Sequence, residues 1–343
     1  MIKPLPDPKT YPIVPPDMDY CYFDEAETSP FEAHNQSFSL VNASWLADCA
    51  LLVYAHPGFA RLAFKLAGFE HFHFFKGTGT ECMAAWNECC LLISFRGTEL
   101  KSLSMLYEMS TNLQAIPSSF SQGGKVHTGF SKALDEIWGG SEGLHRFIQQ
   151  RIAENPDRAI WMTGHSLGGA LASLCFAKVK QATGLYIFGA PRVGNQAFTD
   201  LLKGRPVWRV EHAKDPIPML PPNLPALHFC YHDLGELIYI QADQQLRFQR
   251  PEKTAEEYKQ LIWDTIKTQE SRRKALSMKL PDINQHVRES VQQWLDNIKQ
   301  LQGDKAISIR DHMPIFYCVK LWNLRAAQTE GVVDLTENER LGQ

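Results

Sequence analysis

The chain predicts an α/β fold, a mostly parallel central sheet covered by helices on both faces. Three observations carry this. Short apolar runs alternate along the chain with longer stretches whose apolar residues recur every three or four positions, the order that builds strand–helix–strand crossovers. The runs at Cys89–Phe95, Ala159–Thr163 and Leu185–Gly189 are nearly continuous in apolar residues, as strands buried on both faces must be. With 343 residues, 44% of them hydrophobic and 21% charged, the chain can bury a large core without a disulfide or metal staple.

Six of the twenty prolines fall in residues 1–18, so residues 1–37 read as an extended arm, either disordered or strapped along the surface. Leu40, Ala43, Leu46, Ala47, Ala50, Leu51 and Tyr54 repeat at helical spacing and predict a helix over Phe38–His56. His71–Lys76, Glu81–Trp86 and Cys89–Phe95 read as strands, the last two joined by a tight turn at Asn87-Glu88. Helical patterns follow near Ser131–Trp138 and Glu142–Glu154, then a strand at Ala159–Thr163 and a helix from Leu167 to Lys180. Strands at Leu185–Gly189 and Val207–Glu211 complete the alternation.

The last third changes character. Tyr231–Gln241 reads as a hairpin. Two long helical patterns come next, the first opened by the capping box Thr254-Ala255-Glu256-Glu257 and separated from the second by Pro281. We read a helical hairpin over about residues 252–302, inserted in a domain spanning 38–327, with 328–343 as a tail.

Lys and Arg (35) nearly balance Asp and Glu (38), which gives nucleic acid no electrostatic footprint. No apolar run approaches the ~18 residues that span a bilayer. The proline-broken N-terminus lacks the apolar core of a secretory signal, so the expected location is cytoplasmic, with export that needs no such signal left open. Without a signal, the eight scattered cysteines read as buried thiols rather than disulfides. His71 and His73 alternate onto one side of a strand, but no carboxylate or thiolate partner is obvious at short range, and neither a metal nor an organic cofactor is expected.

The sharpest chemical signal is Gly164-His165-Ser166-Leu167-Gly168-Gly169. It follows an apolar strand and opens a helix rich in Ala and Leu, the setting of a nucleophile elbow. So tight a turn requires neighbours without a bulky Cβ, and it lifts Ser166 above the strand's carboxyl end, where helix-start amides face a developing oxyanion. A serine needs an imidazole to take its proton and a carboxylate to orient that imidazole. Asp215, just past the strand Val207–Glu211, falls on the same sheet edge. Among the histidines beyond it, spacing alone does not select His312 over His232.

Ile93-Ser-Phe-Arg-Gly-Thr98-Glu99, Val126-His-Thr-Gly-Phe130, the elbow, Phe188-Gly-Ala-Pro-Arg-Val-Gly-Asn195 and Asp215-Pro-Ile-Pro-Met-Leu-Pro-Pro222 follow one another in this order. With the closing Asp311-His312 and Tyr317, they resemble the fungal-lipase-like (class 3 lipase) family of α/β-hydrolases from about Phe38 to Tyr317. The resemblance implies Ser166 as nucleophile, Asp215 as orienting carboxylate, His312 as base and acid, and the backbone amides of Thr98 and Leu167 as the oxyanion hole. Three departures stand out. His212 takes a place where the family often has Asn, Met109 and Asn112-Leu113 stand where the lid usually shows Trp and Asp-Leu, and the helical hairpin is larger than the core pattern needs.

The expected activity is hydrolysis of acyl-lipid esters, with a triacylglycerol, a phospholipid or galactolipid at a primary acyl position, or a soluble ester as substrate alternatives. A lipase-like scaffold without catalysis is the alternative of another class, and the filled triad positions argue against it. Leu100, Leu103, Leu106, Met109 and Leu113 recur at helical spacing directly after Thr98-Glu99. They predict a short amphipathic lid that transiently meets a membrane or lipid-aggregate surface. The sequence does not specify an oligomeric state.

Overall fold

The computed structural model describes residues 3–5, 20–24, 26–98, 117–221, 230–243, 245–250 and 310–329. Its centre is an eight-stranded sheet of order β1-β2-β3-β6-β7-β8-β9-β10. These strands are β1 (His71–Lys76), β2 (Glu81–Trp86), β3 (Cys90–Phe95), β6 (Ala159–His165), β7 (Gly184–Phe188), β8 (Val207–His212), β9 (Glu236–Ile240) and β10 (Leu246–Arg247). From β3 through β9 every neighbouring pair is parallel, while β1/β2, β2/β3 and β9/β10 are antiparallel. A separate ribbon pairs β4 (Pro117–Ser119) with β5 (Lys125–His127). The mostly parallel α/β sheet and the α/β-hydrolase architecture predicted from the sequence are therefore present.

Strand alternation divides the core into two. In β6, Ala159 and Trp161 enter one apolar cluster while Ile160 and Met162 enter the other. The first cluster is capped by helices α1 (Leu40–Leu52), α2 (Pro57–Leu66) and α7 (Pro314–Thr329). The second is capped by α3 (Thr128–Trp138), α4 (Leu144–Glu154) and α5 (Leu167–Lys178). A short α6 (Gln196–Asp200) follows β7. Trp161, Tyr186 and Trp208 lie side by side across β6, β7 and β8 on the first face, and their burial contributes roughly 2–3 kcal/mol each.

Helix α1 starts where Ser39 accepts from the Asn42 amide at 3.2 Å. It is buried nearly all round, because it is sandwiched between the sheet and α7. That explains why its apolar residues are not confined to one stripe. Lys3, at the start of the N-terminal arm, is strapped to α7: its N–H donates to Asn323 Oδ1 at 2.7 Å and its carbonyl accepts from Asn323 Nδ2 at 3.0 Å.

The predicted hairpin at Tyr231–Gln241 is corrected. Only Glu236–Ile240 forms a strand. It pairs parallel with β8, while its antiparallel partner is Leu246–Arg247 further on; His232 bridges to Gly194 instead. The reason is Gly235, whose φ of +68° turns the chain between the bridge and the strand. The helical insert at about 252–302 lies outside the described residues, as do Leu100, Leu103, Leu106 and Met109 of the expected lid.

Candidate active site

The parallel strands deliver their carboxyl ends to one edge of the sheet, and the residues of interest follow directly from those ends. Strand β3 ends at Phe95 and leads to Gly97-Thr98, β6 ends at His165 and leads to Ser166, and β8 ends at His212 and leads through Ala213 to Asp215. A single 3₁₀ turn at Arg310–His312 brings the fourth group to the same edge and runs into α7.

Ser166 has φ +58° and ψ −130°, a conformation of high energy for a residue with a side chain. The packing holds it there. A Cβ on Gly164 would lie 2.3 Å from the Gly168 carbonyl carbon, and one on Gly168 would lie 2.0 Å from the Phe95 carbonyl oxygen. Both glycines are thus required for β6 to turn into α5. Ser166 occupies the N-cap position of α5, but its hydroxyl caps nothing. The helix's first amides therefore keep their positive end toward the site, beginning with the N–H of Leu167. Gly97 lets the Thr98 loop pass alongside, since a Cβ there would sit 3.2 Å from Ser166 Cβ.

Asp215 is buried and collects three donors. Ile217 N–H reaches Oδ1 at 2.9 Å, Tyr317 Oη reaches Oδ2 at 2.6 Å, and His312 Nδ1 lies 3.0 and 2.9 Å from the two oxygens. With Nδ1–H turned to the carboxylate, His312 Nε2 is left with its lone pair, the form a base needs. Burial, then the Asp215 carboxylate, raises the Tyr317 phenol well above its ordinary range, so it stays a donor. His312 Nε2 and Ser166 Oγ are both buried, and neither has a hydrogen-bond partner among the described residues. No hydrogen bond joins the two atoms in this conformation.

Residues 92–224 match the family model described as lipase (class 3). Over that stretch the chain is similar to the class 3 lipases. The secreted mono- and diacylglycerol lipase 1 of Fusarium solani is 36% identical over 102 residues, covering 28% of this chain and 30% of that protein. The lipase of Rhizomucor miehei is 31% identical over 148 residues, covering 40% of this chain and 39% of that one. The chain thus spans about a third of the length of the curated relatives it matches. Among solved structures, the Rhizomucor miehei triacylglyceride lipase aligns with a TM-score of 0.46 at 25% identity, over 60% of this chain and 79% of that one.

The matched stretch includes Ser166 and Asp215, while His312 lies beyond it and joins them through the fold. Of the other histidines beyond Asp215 in sequence, His232 makes a backbone bridge with Gly194, and His228 and His286 lie outside the described residues. His71 stacks on Trp86 at 5.1 Å and His73 packs against Phe147 at 5.4 Å. Among the described residues no His, Cys, Asp or Glu group of three or more could hold a metal ion. Sequence reasoning missed His165, which borders His312, and Tyr54, which meets His165. Their only signal is positional, His165 being the last residue of β6 on the α1 side.

Proposed function

We propose that the chain is a serine carboxylic-ester hydrolase acting on acyl lipids, with Ser166, Asp215 and His312 as its triad. The observation that carries this is the His312 Nδ1 to Asp215 contact at 2.9 Å, buried beside a strained serine elbow on one sheet edge. That the relatives are a lipase and a mono- and diacylglycerol lipase supports the acyl-lipid substrate class.

In this reading Ser166 Oγ attacks the acyl carbonyl while its proton passes to His312 Nε2, and Asp215 stabilises the imidazolium that forms. The tetrahedral oxyanion accepts from the N–H groups of Thr98 and Leu167. Collapse expels the alcohol, which takes the proton from His312. Water then attacks the acyl-enzyme, giving its proton to His312, and the fatty acid leaves as Ser166 is restored.

The test is hydrolysis of a series of p-nitrophenyl acyl esters with Ser166→Ala as the blank, together with fluorophosphonate labelling of the wild type. Labelling at Ser166 and chain-length-dependent turnover are expected. A folded wild-type protein that does neither overturns the reading in favour of a non-catalytic scaffold.

A further inference from the structure

His165 closes β6 and His212 closes β8, with β7 between them. Strand alternation turns both rings onto the face covered by α1 and α7, where the 310–312 turn crosses the sheet edge. There His165 Nε2 lies 2.6 Å from the carbonyl oxygen of His312, and His212 Nδ1 lies 2.9 Å from the carbonyl oxygen of Asp311. Two buried imidazoles thus meet two successive carbonyls of the segment that carries the base.

A carbonyl only accepts, so each contacting nitrogen must carry a proton. This fixes opposite tautomers, Nε2–H for His165 and Nδ1–H for His212. The remaining nitrogen of His165, Nδ1, lies 3.2 Å from Tyr54 Oη and accepts its hydroxyl proton. Burial holds both rings below the ordinary histidine range, helped by the neighbouring His312 for His165 and by Lys320 for His212. The His165 ring lies 4.5 Å from the His312 ring. Being neutral, it brings no positive charge to a base that must take up a proton.

We propose that His165 and His212 are positioning residues that clamp the backbone at Asp311 and His312 and so aim the His312 ring between Asp215 and Ser166. The proposal rests on the ester-hydrolase reading. Asp215 fixes only the Nδ1 end of the His312 imidazole; the direction of Nε2 depends also on where the His312 backbone sits. That backbone belongs to a one-turn 3₁₀ helix, which has little internal hydrogen bonding to hold it. The Lys214 N–H donating to Asp311 Oδ2 at 3.0 Å steadies the side chain of the preceding residue, not the carbonyls. The two histidines supply what the turn lacks.

A space-filling role and a clamping role separate by shape. The amide of Asn places a donor near the position of a histidine Nδ1, and that of Gln near Nε2, whereas Leu and Met fill the volume without a donor. His212→Asn is therefore compared with His212→Leu, and His165→Gln with His165→Met. Each is scored by the rate of Ser166 labelling with a fluorophosphonate, by kcat and KM on a soluble p-nitrophenyl ester, and by its unfolding midpoint. The Leu and Met variants are expected to lose on the order of 10²-fold in kcat and in labelling rate with KM little changed. The Asn and Gln variants are expected to recover most of that loss.

A folded Leu or Met variant that labels at the wild-type rate overturns the proposal. So do folded Asn and Gln variants as slow as their apolar counterparts. Should the apolar variants fail to fold, the imidazole ¹⁵N shifts of the wild type decide: Nδ1–H at His212 and Nε2–H at His165 are expected, and the opposite tautomer at either overturns the clamp. A wild-type protein that neither labels nor hydrolyses defeats the ester-hydrolase reading, while the ¹⁵N tautomers still decide the clamp.

Discussion

Tyr317 donates its hydroxyl to Asp215 Oδ2 across 2.6 Å, on the same oxygen that His312 Nδ1 approaches at 2.9 Å. Tyr317 lies on α7 and His312 on the turn that opens it, so one helix supplies two of the three groups that hold the carboxylate. The seating of α7 on α1 is thereby tied to the geometry of the site. Tyr317→Phe keeps the ring, which packs against Phe188 and His212, and removes one donor from a buried acceptor. We expect a stability loss of about 1–2 kcal/mol. The expected fall in kcat is roughly tenfold, the rate equivalent of ~1.4 kcal/mol. Denaturant midpoints and steady-state kinetics check both, and an unchanged kcat would mean that Ile217 N–H and His312 suffice to hold Asp215.

Under the proposed mechanism the triad acts as a unit. Ser166→Ala and His312→Ala should each remove turnover by on the order of 10⁴-fold or more. Asp215→Asn should cost somewhat less, because its amide can still occupy the site while favouring the wrong His312 tautomer. The measurement is kcat in variants shown to be folded. Wild-type-like hydrolysis by His312→Ala would take the base role away from His312.

The central sheet was legible because most of its parallel strands are buried on both faces and so appear as nearly unbroken apolar runs; β1 and β2 were also bounded correctly, although β1 is a largely exposed antiparallel strand. The elbow was legible because its steric demand is local, with glycines at fixed offsets from the serine. Strand β9 was not, since Glu236 and Leu237 at its start are only partly buried and its partner β8 lies across a long sequence gap. Residues such as Tyr54 and His165 were hidden for another reason. The contacts of Tyr54 with His165 and of His165 with His312 each span more than a hundred residues and exist only once α1, β6 and α7 have stacked. The choice of His312 over His232 came from resemblance rather than spacing, and in the structure it is His312 that meets Asp215.

Gly189 gives a sharper test of the site's packing. Its φ is +53°, and a Cβ there would lie 2.6 Å from Asp215 Oδ2, 2.9 Å from Tyr317 Oη and 3.1 Å from His312 Nδ1. All three neighbours are tied to one another, so none can yield freely. Gly189→Ala is expected to abolish fluorophosphonate labelling and to destabilise by roughly 2–4 kcal/mol, from backbone strain plus displaced side chains. Gly204→Ala is the control. It has φ +79° with nothing within 4 Å, and should cost only the ~1–2 kcal/mol of backbone strain while leaving labelling intact. Equal labelling by the two variants would show that the Asp215–Tyr317–His312 cluster tolerates expansion.

Asp48 makes stability depend on pH in the direction opposite to most carboxylates. It is buried in α1 and accepts from Tyr20 Oη at 2.9 Å and from the Phe23 N–H at 2.7 Å. Burial pushes its pKa from 3.8 to about 6, against the lowering effect of those bonds and of Lys3 and Arg325. The folded state therefore holds this proton more tightly than the unfolded chain does. The stability it contributes is complete below about pH 4, declines as pH rises through about 6, and is gone above that, a change of roughly 2–3 kcal/mol. Asp48→Asn removes the titration but keeps an acceptor oxygen. Its stability relative to the wild type should rise between pH 4 and 7, as read from urea midpoints of the two proteins at each pH. A difference that stays flat across that range would mean that the bonds from Tyr20 and Phe23 fully offset the desolvation of the Asp48 carboxylate.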